Sequence, residues 1–103
     1  HDKSFIFYPE KKIASANKIS FEETKLQNCL VKDFRLYFKY SDTEPENFIS
    51  DLTLYLNQTK QVYDFPSHAL FESLIIEPRN FWGNDTVICL PHIHVYGDKN
   101  FNR

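Results

Sequence analysis

The sequence predicts an all-β domain of antiparallel sheets, closed as a sandwich or a barrel, and three observations carry that expectation. Short apolar and aromatic runs recur at close spacing, each bounded by polar or Pro-containing turns. Several of them alternate, with apolar side chains on one face and polar ones on the other, as a strand with one wet side does. No stretch sustains the 3.6-residue period of a long amphipathic helix. Alternation on one face only is the pattern of antiparallel sheets with one side on the core and the other in water.

The elements follow in order. Ser4–Tyr8 is β-branched and aromatic and stops at Pro9. Residues 10–28 are mixed: Lys18–Phe21 reads as a short strand, while Ser20-Phe-Glu-Glu reads equally as a helical turn. Cys29–Tyr40 is the clearest strand, with Phe34, Leu36, Phe38 and Tyr40 on one face and Arg35, Tyr37 and Lys39 on the other. Ser41–Asn47 is a loop by composition. Asp51–Asn57 places Leu52, Leu54 and Leu56 inward and Thr53 and Tyr55 outward. Gln61–Phe65 is a short strand ending at Pro66, and Phe71–Glu77 is another, stopped at Pro78. A loop from Arg79 to Thr86 precedes a last strand, Val87–Tyr96, that ends at Gly97.

At 103 residues the chain suits one domain, 1–103, although residues 1–28 either complete the sandwich or pack on a missing part of a larger protein. Ten Phe, six Tyr and one Trp supply a core and exclude intrinsic disorder. A net charge of −2 leaves phosphate-backbone binding without an electrostatic basis, so nucleic acid is not an expected partner. No run approaches the roughly 18 apolar residues of a membrane span. The chain contains no Met, so it is expected to be a processed or excised part of a longer protein.

Cys29 and Cys89 are the two cysteines, and they form either a disulfide or two buried thiols. No CxxC or CxxH spacing suggests a thiolate zinc site. Two sequons, Asn57-Gln58-Thr59 and Asn84-Asp85-Thr86, mark Asn57 and Asn84 as candidate N-glycosylation sites. Disulfide and sequons together favour an oxidising setting, extracellular or within an endomembrane or perinuclear lumen.

The segment Asn80-Phe-Trp-Gly-Asn-Asp-Thr-Val-Ile-Cys-Leu-Pro-His-Ile-His-Val-Tyr-Gly97 resembles the C-terminal signature of SUN domains, with Trp82, Gly83, Cys89, Leu90, Val95 and Gly97 at matching positions. Phe71–Pro78 looks like the strand that precedes this turn in SUN and discoidin domains, and discoidin domains close similarly on Val-Tyr-Gly. The resemblance implies a galactose-binding-like β-sandwich, an antiparallel jelly roll of two sheets. Val87 and Pro91 stand where SUN domains carry tyrosines that hold a KASH peptide, so a standard KASH pocket is not implied.

Candidate sites have a functional and a structural reading. His92 and His94, at i and i+2, project from one strand face; they suit a metal ion, with His68 or Asp98 as third ligand, or else a solvated or partner-covered face. Phe81 and Trp82 suit stacking on a sugar, with Asn80, Asn84 and Asp85 as hydrogen-bonding groups; structurally, Trp82 plugs the end of the sandwich. Arg35, Tyr37 and Lys39 form a cationic-aromatic stripe for a partner, or an ordinary wet face. The carboxylates of Asp42, Glu44 and Glu46 suggest calcium but lack the spacing of a dedicated calcium loop. No GxSxG, phosphate-cradling Gly loop or HExxH occurs, so catalysis and cofactors are not expected. The expected function is non-catalytic binding, foremost protein–protein tethering. Glycan or lipid head-group binding through Phe81 and Trp82 is the first alternative, and a metal site at His92 and His94 the second.

Overall fold

The computed structural model describes residues 4–10, 14–24, 29–83 and 88–97. Among them run seven strands: β1 Phe5–Phe7, β2 Ala14–Thr24, β3 Asp33–Lys39, β4 Asn47–Thr53, β5 Gln58–Phe71, β6 Ser73–Pro78 and β7 His92–Tyr96. They form two sheets, ordered β1-β6-β3-β4 and β5-β2-β7, in which every strand pair is antiparallel. The sheets are antiparallel, as one-faced alternation predicts, and of the two closures left open by the strand pattern the fold is the sandwich that the family resemblance implies. No helix among the described residues is long and apolar enough to cross a membrane.

The core lies between the sheets. β3 contributes Phe34 and Leu36, β6 contributes Leu74 and Ile76, and β2 contributes Ile19 and Phe21, all at most 1% exposed. Phe21 meets Phe34 of the opposite sheet edge-on, with ring centroids 5.4 Å apart. Burial of each such side chain contributes about 1.5–3 kcal/mol.

Several sequence expectations are corrected. In the mixed region the strand reading of Lys18–Phe21 holds and is extended: Ser20-Phe-Glu-Glu is not a helical turn but part of β2, the central strand of its sheet. Its inward residues change parity from Ala16 to Ile19 and Phe21 because the register with β5 shifts between Ala16 and Lys18. Opposite that shift, β5 runs on through Pro66: Phe65–His68 bulge out of the ladder, where the missing proline N–H costs no bond. Phe71 thus ends β5 instead of opening β6. The long predicted strand from Cys29 begins only at Asp33, and Tyr40, beyond its end, is 45% exposed. β4 sits earlier than expected, at Asn47–Thr53, although Leu54 is still fully buried and Leu52 and Leu56 pack on the core. β7 is shorter than expected and starts at His92; Val87 lies outside the described residues.

β6 also departs from one-faced alternation, since Ser73 through Glu77 are all buried. As an inner strand it has Ile75 registered between Ile6 of β1 and Tyr37 of β3. Glu77 accepts from the Tyr37 hydroxyl at 3.4 Å and pairs with Arg79 at 3.4 Å. At the end of β7, Gly97 approaches β2 so closely that a Cβ would collide with the Ser15 carbonyl oxygen.

Candidate binding surfaces

One end of the sandwich gathers residues 29–33, 53–54, 79–82 and 89. Backbone bonds run from Lys32 N to Asn80 O at 2.9 Å, from Trp82 N to Leu30 O at 2.9 Å and from Leu54 N to Lys32 O at 2.8 Å. Cys29 and Cys89 are disulfide-bonded, with Cα atoms 5.1 Å apart, and Cys89 N donates to Cys29 O at 2.8 Å beside the link.

The side chains expected to meet a sugar are used within this knot. Trp82 Nε1 donates to Leu54 O at 2.8 Å, its ring packs against the core, and Lys32 Nζ stands 4.5 Å from the ring centroid. Phe81 also packs on the core, bridging to Val31. Asn80 Oδ1 accepts from Asp33 N at 2.9 Å, and its Nδ2 donates to Asp33 Oδ2 at 3.0 Å. Asn84 and Asp85 lie outside the described residues. Tyr55, next to Leu54, is 55% exposed and is the aromatic ring this end presents most openly.

Asp33 draws three elements together, since its Oδ1 also accepts from Thr53 Oγ1 at 2.6 Å. The hydrogen bonds from Thr53 and then Asn80 hold its pKa below the ordinary 3.8. A carboxyl depressed in the folded state adds stability that is present above its unfolded pKa and lost as pH falls through the folded one. We expect Asp33→Asn to be less stable than wild type at neutral pH, with the gap closing as pH drops through the carboxylate range. Urea midpoints measured along that series check it; a gap independent of pH would refute the linkage.

The outer face of the four-stranded sheet is the second surface. Arg35, Tyr37 and Lys39 of β3 lie on it, partly exposed. Register places Ile6, Ile75, Tyr37 and Phe48 in one row across all four strands. Ile6 is 56% and Phe48 55% exposed. Phe48 meets Tyr37 edge-on with centroids 6.0 Å apart, and the Arg35 guanidinium lies 5.5 Å from the Phe48 centroid while Nε bonds Asp51 Oδ1 at 3.0 Å. Lys39 Nζ donates to Asp42 O at 3.1 Å.

Sequence reasoning left Phe48 unassigned, next to a polar loop. Its parity with the inward Leu52 would have pointed it to the core. A bulge at Ile49, opposite the step from Leu36 to Tyr37, reverses that parity and turns Phe48 outward.

His92 and His94 stand on the solvent side of β7, with Ile93 and Val95 packed on the core. His94 Nε2 lies 3.9 Å from Glu22 Oε2. On the same face Ser20, fully buried, hydrogen-bonds the Tyr96 hydroxyl at 3.1 Å, which lowers the phenol pKa. His68 sits elsewhere, with Phe38 and Phe48 in a cleft of about 70 Å³ beside the β5 bulge, and Asp98 lies outside the described residues. Among the described residues no three His, Cys, Asp or Glu side chains stand together as metal ligands. That applies equally to Asp42, Glu44 and Glu46, which are exposed in the β3–β4 loop.

No family model matches the sequence, and no curated protein does. Among solved structures the fold is similar to the family 32 CBM (carbohydrate-binding module) from C. perfringens NanJ in complex with galactose, at a TM-score of 0.62 and 16% identity. The match covers 78% of this chain and 57% of that one, so this chain spans well under two thirds of the neighbour. The likeness shows the galactose-binding-like sandwich and carries none of the SUN-specific features.

Proposed function

We propose that the chain is a non-catalytic binding module that holds a protein partner on the outer face of the four-stranded sheet, in a luminal or extracellular setting. One observation carries this reading: the row Ile6–Ile75–Tyr37–Phe48 leaves two large apolar side chains more than half exposed, flanked by Arg35 and Lys39. An exposed apolar patch with a polar rim is the usual form of a contact surface, and Tyr and Arg are over-represented among residues that carry binding energy. Phe81 and Trp82, by contrast, are partly buried against the core, and the Trp82 indole and the Asn80 amide are already hydrogen-bonded to Leu54 and Asp33.

The test compares wild type with Phe48→Ser in pull-downs from the source organism. Phe48 is 55% exposed and its chief ring contact is the edge-on one with Tyr37, so the substitution is expected to cost about 0.5–1.5 kcal/mol, short of unfolding the domain, while abolishing capture of the partner. Capture that persists unchanged in Phe48→Ser, and in Arg35→Glu, would overturn the reading.

The galactose complex of the similar fold favours a second reading, in which a glycan is bound at the loop end with Tyr55 as stacking ring and Lys32 as hydrogen-bond donor. Trp82, the one tryptophan, reports on it: galactose or a larger glycan would shift its fluorescence in wild type and not in Tyr55→Ala.

A further inference from the structure

We infer that Asn57 carries an N-linked oligosaccharide. The motif Asn57-Gln58-Thr59 has the required hydroxyl two residues on and no proline between. The structure adds two independent observations. Asn57 forms the turn between β4 and β5 with φ at 61°, and Asn57, Gln58, Thr59 and Lys60 are all exposed, so a bulky substituent on the Asn57 amide meets solvent. The left-handed turn accounts for an asparagine at this position but places no demand on Thr59, whose hydroxyl is what the sequon needs. The second is the disulfide between Cys29 and Cys89, which belongs to the oxidising compartments in which this modification is made.

The co-substrate is an oligosaccharide linked through pyrophosphate to a membrane lipid, and the transferase is a separate enzyme of the oxidising compartment. A bond forms between Asn57 Nδ2 and the anomeric carbon of the reducing-end sugar. The bond from that carbon to the pyrophosphate oxygen breaks, the amide gives up one proton, and the lipid pyrophosphate leaves. The attachment point lies at the head of β5, an outer strand of its sheet. A glycan rooted there shields the exposed start of that edge against pairing with another chain, a service that charged or bulky groups perform on many edge strands. It also stands two residues from Tyr55, and leaves the row containing Phe48 open on the other sheet.

The experiment translates the 103-residue chain behind a signal peptide in eukaryotic cells, in an Asn84→Gln background so that one sequon remains. We expect a slower-migrating species that collapses on treatment with a peptide N-glycosidase, leaving aspartate at position 57 in the peptide mass spectrum. Thr59→Ala should abolish it while keeping the asparagine in its turn, and Thr59→Ser should restore it. Translation with microsomes reads the same shift without requiring a secreted, folded chain. Absence of the shift in both formats, or a shift that survives Thr59→Ala, would overturn the inference.

Discussion

Phe21→Ala is expected to destabilise the fold by about 3–5 kcal/mol, a large share of the roughly 5–15 kcal/mol that separates a domain of this size from its unfolded state. Phe21 is fully buried on β2, the middle strand of its sheet. Its ring meets Phe34 across the sandwich at 5.4 Å and Tyr63 of the neighbouring strand at 6.2 Å, both edge-on. Truncation removes the transfer energy of the ring and leaves a void that two sheets held by backbone ladders are poorly able to close. Aromatic contacts of this geometry add about 0.5–1.5 kcal/mol beyond buried area. Urea unfolding followed by tryptophan fluorescence measures the loss, and Phe21→Leu should recover a good part of it. A loss below about 1 kcal/mol would mean that the two sheets are not joined through this side chain.

Replacing both cysteines by serine is expected to cost about 4 kcal/mol, from the larger conformational freedom of an unfolded chain no longer closed across 60 positions. The site is well chosen for such a constraint. Residues 29–33 enter β3 through backbone bonds to residues 80–82 and 89, and the link holds that crossing in place when the strands fray. Reductant should lower the wild-type midpoint to that of the Cys29→Ser/Cys89→Ser variant and leave the variant unmoved. Equal midpoints for oxidised wild type and variant would show that the folded state does not depend on the bridge, and would remove one support for an oxidising setting.

The strands that were legible are those whose apolar residues keep one parity from end to end. Phe34 and Leu36 on β3 and Ile93 and Val95 on β7 alternate without interruption, and each faces the core. β2 is legible only over Lys18–Phe21, and there only as one of two readings, because its inward set runs Ala16, then Ile19 and Phe21, across a register shift that breaks the two-residue period. β5 was truncated at Pro66 because a proline reads as a strand end, whereas here it falls in a bulge that asks for no donor. Of the candidate sites, the cationic-aromatic stripe of Arg35, Tyr37 and Lys39 was readable from alternation alone. The exposed ring beside it was not.

By itself, then, the sequence determined an antiparallel β architecture, an aromatic core and the pair of cysteines available to staple it, because alternation and composition act locally and survive any detail of pairing. Only the tertiary structure decided what the individual aromatics do. One extra residue at Ile49 turns Phe48 from the core to solvent, and the Leu54 carbonyl claims the Trp82 indole for the interior. Both outcomes depend on where a partner strand or loop lies, which no period along a single strand records.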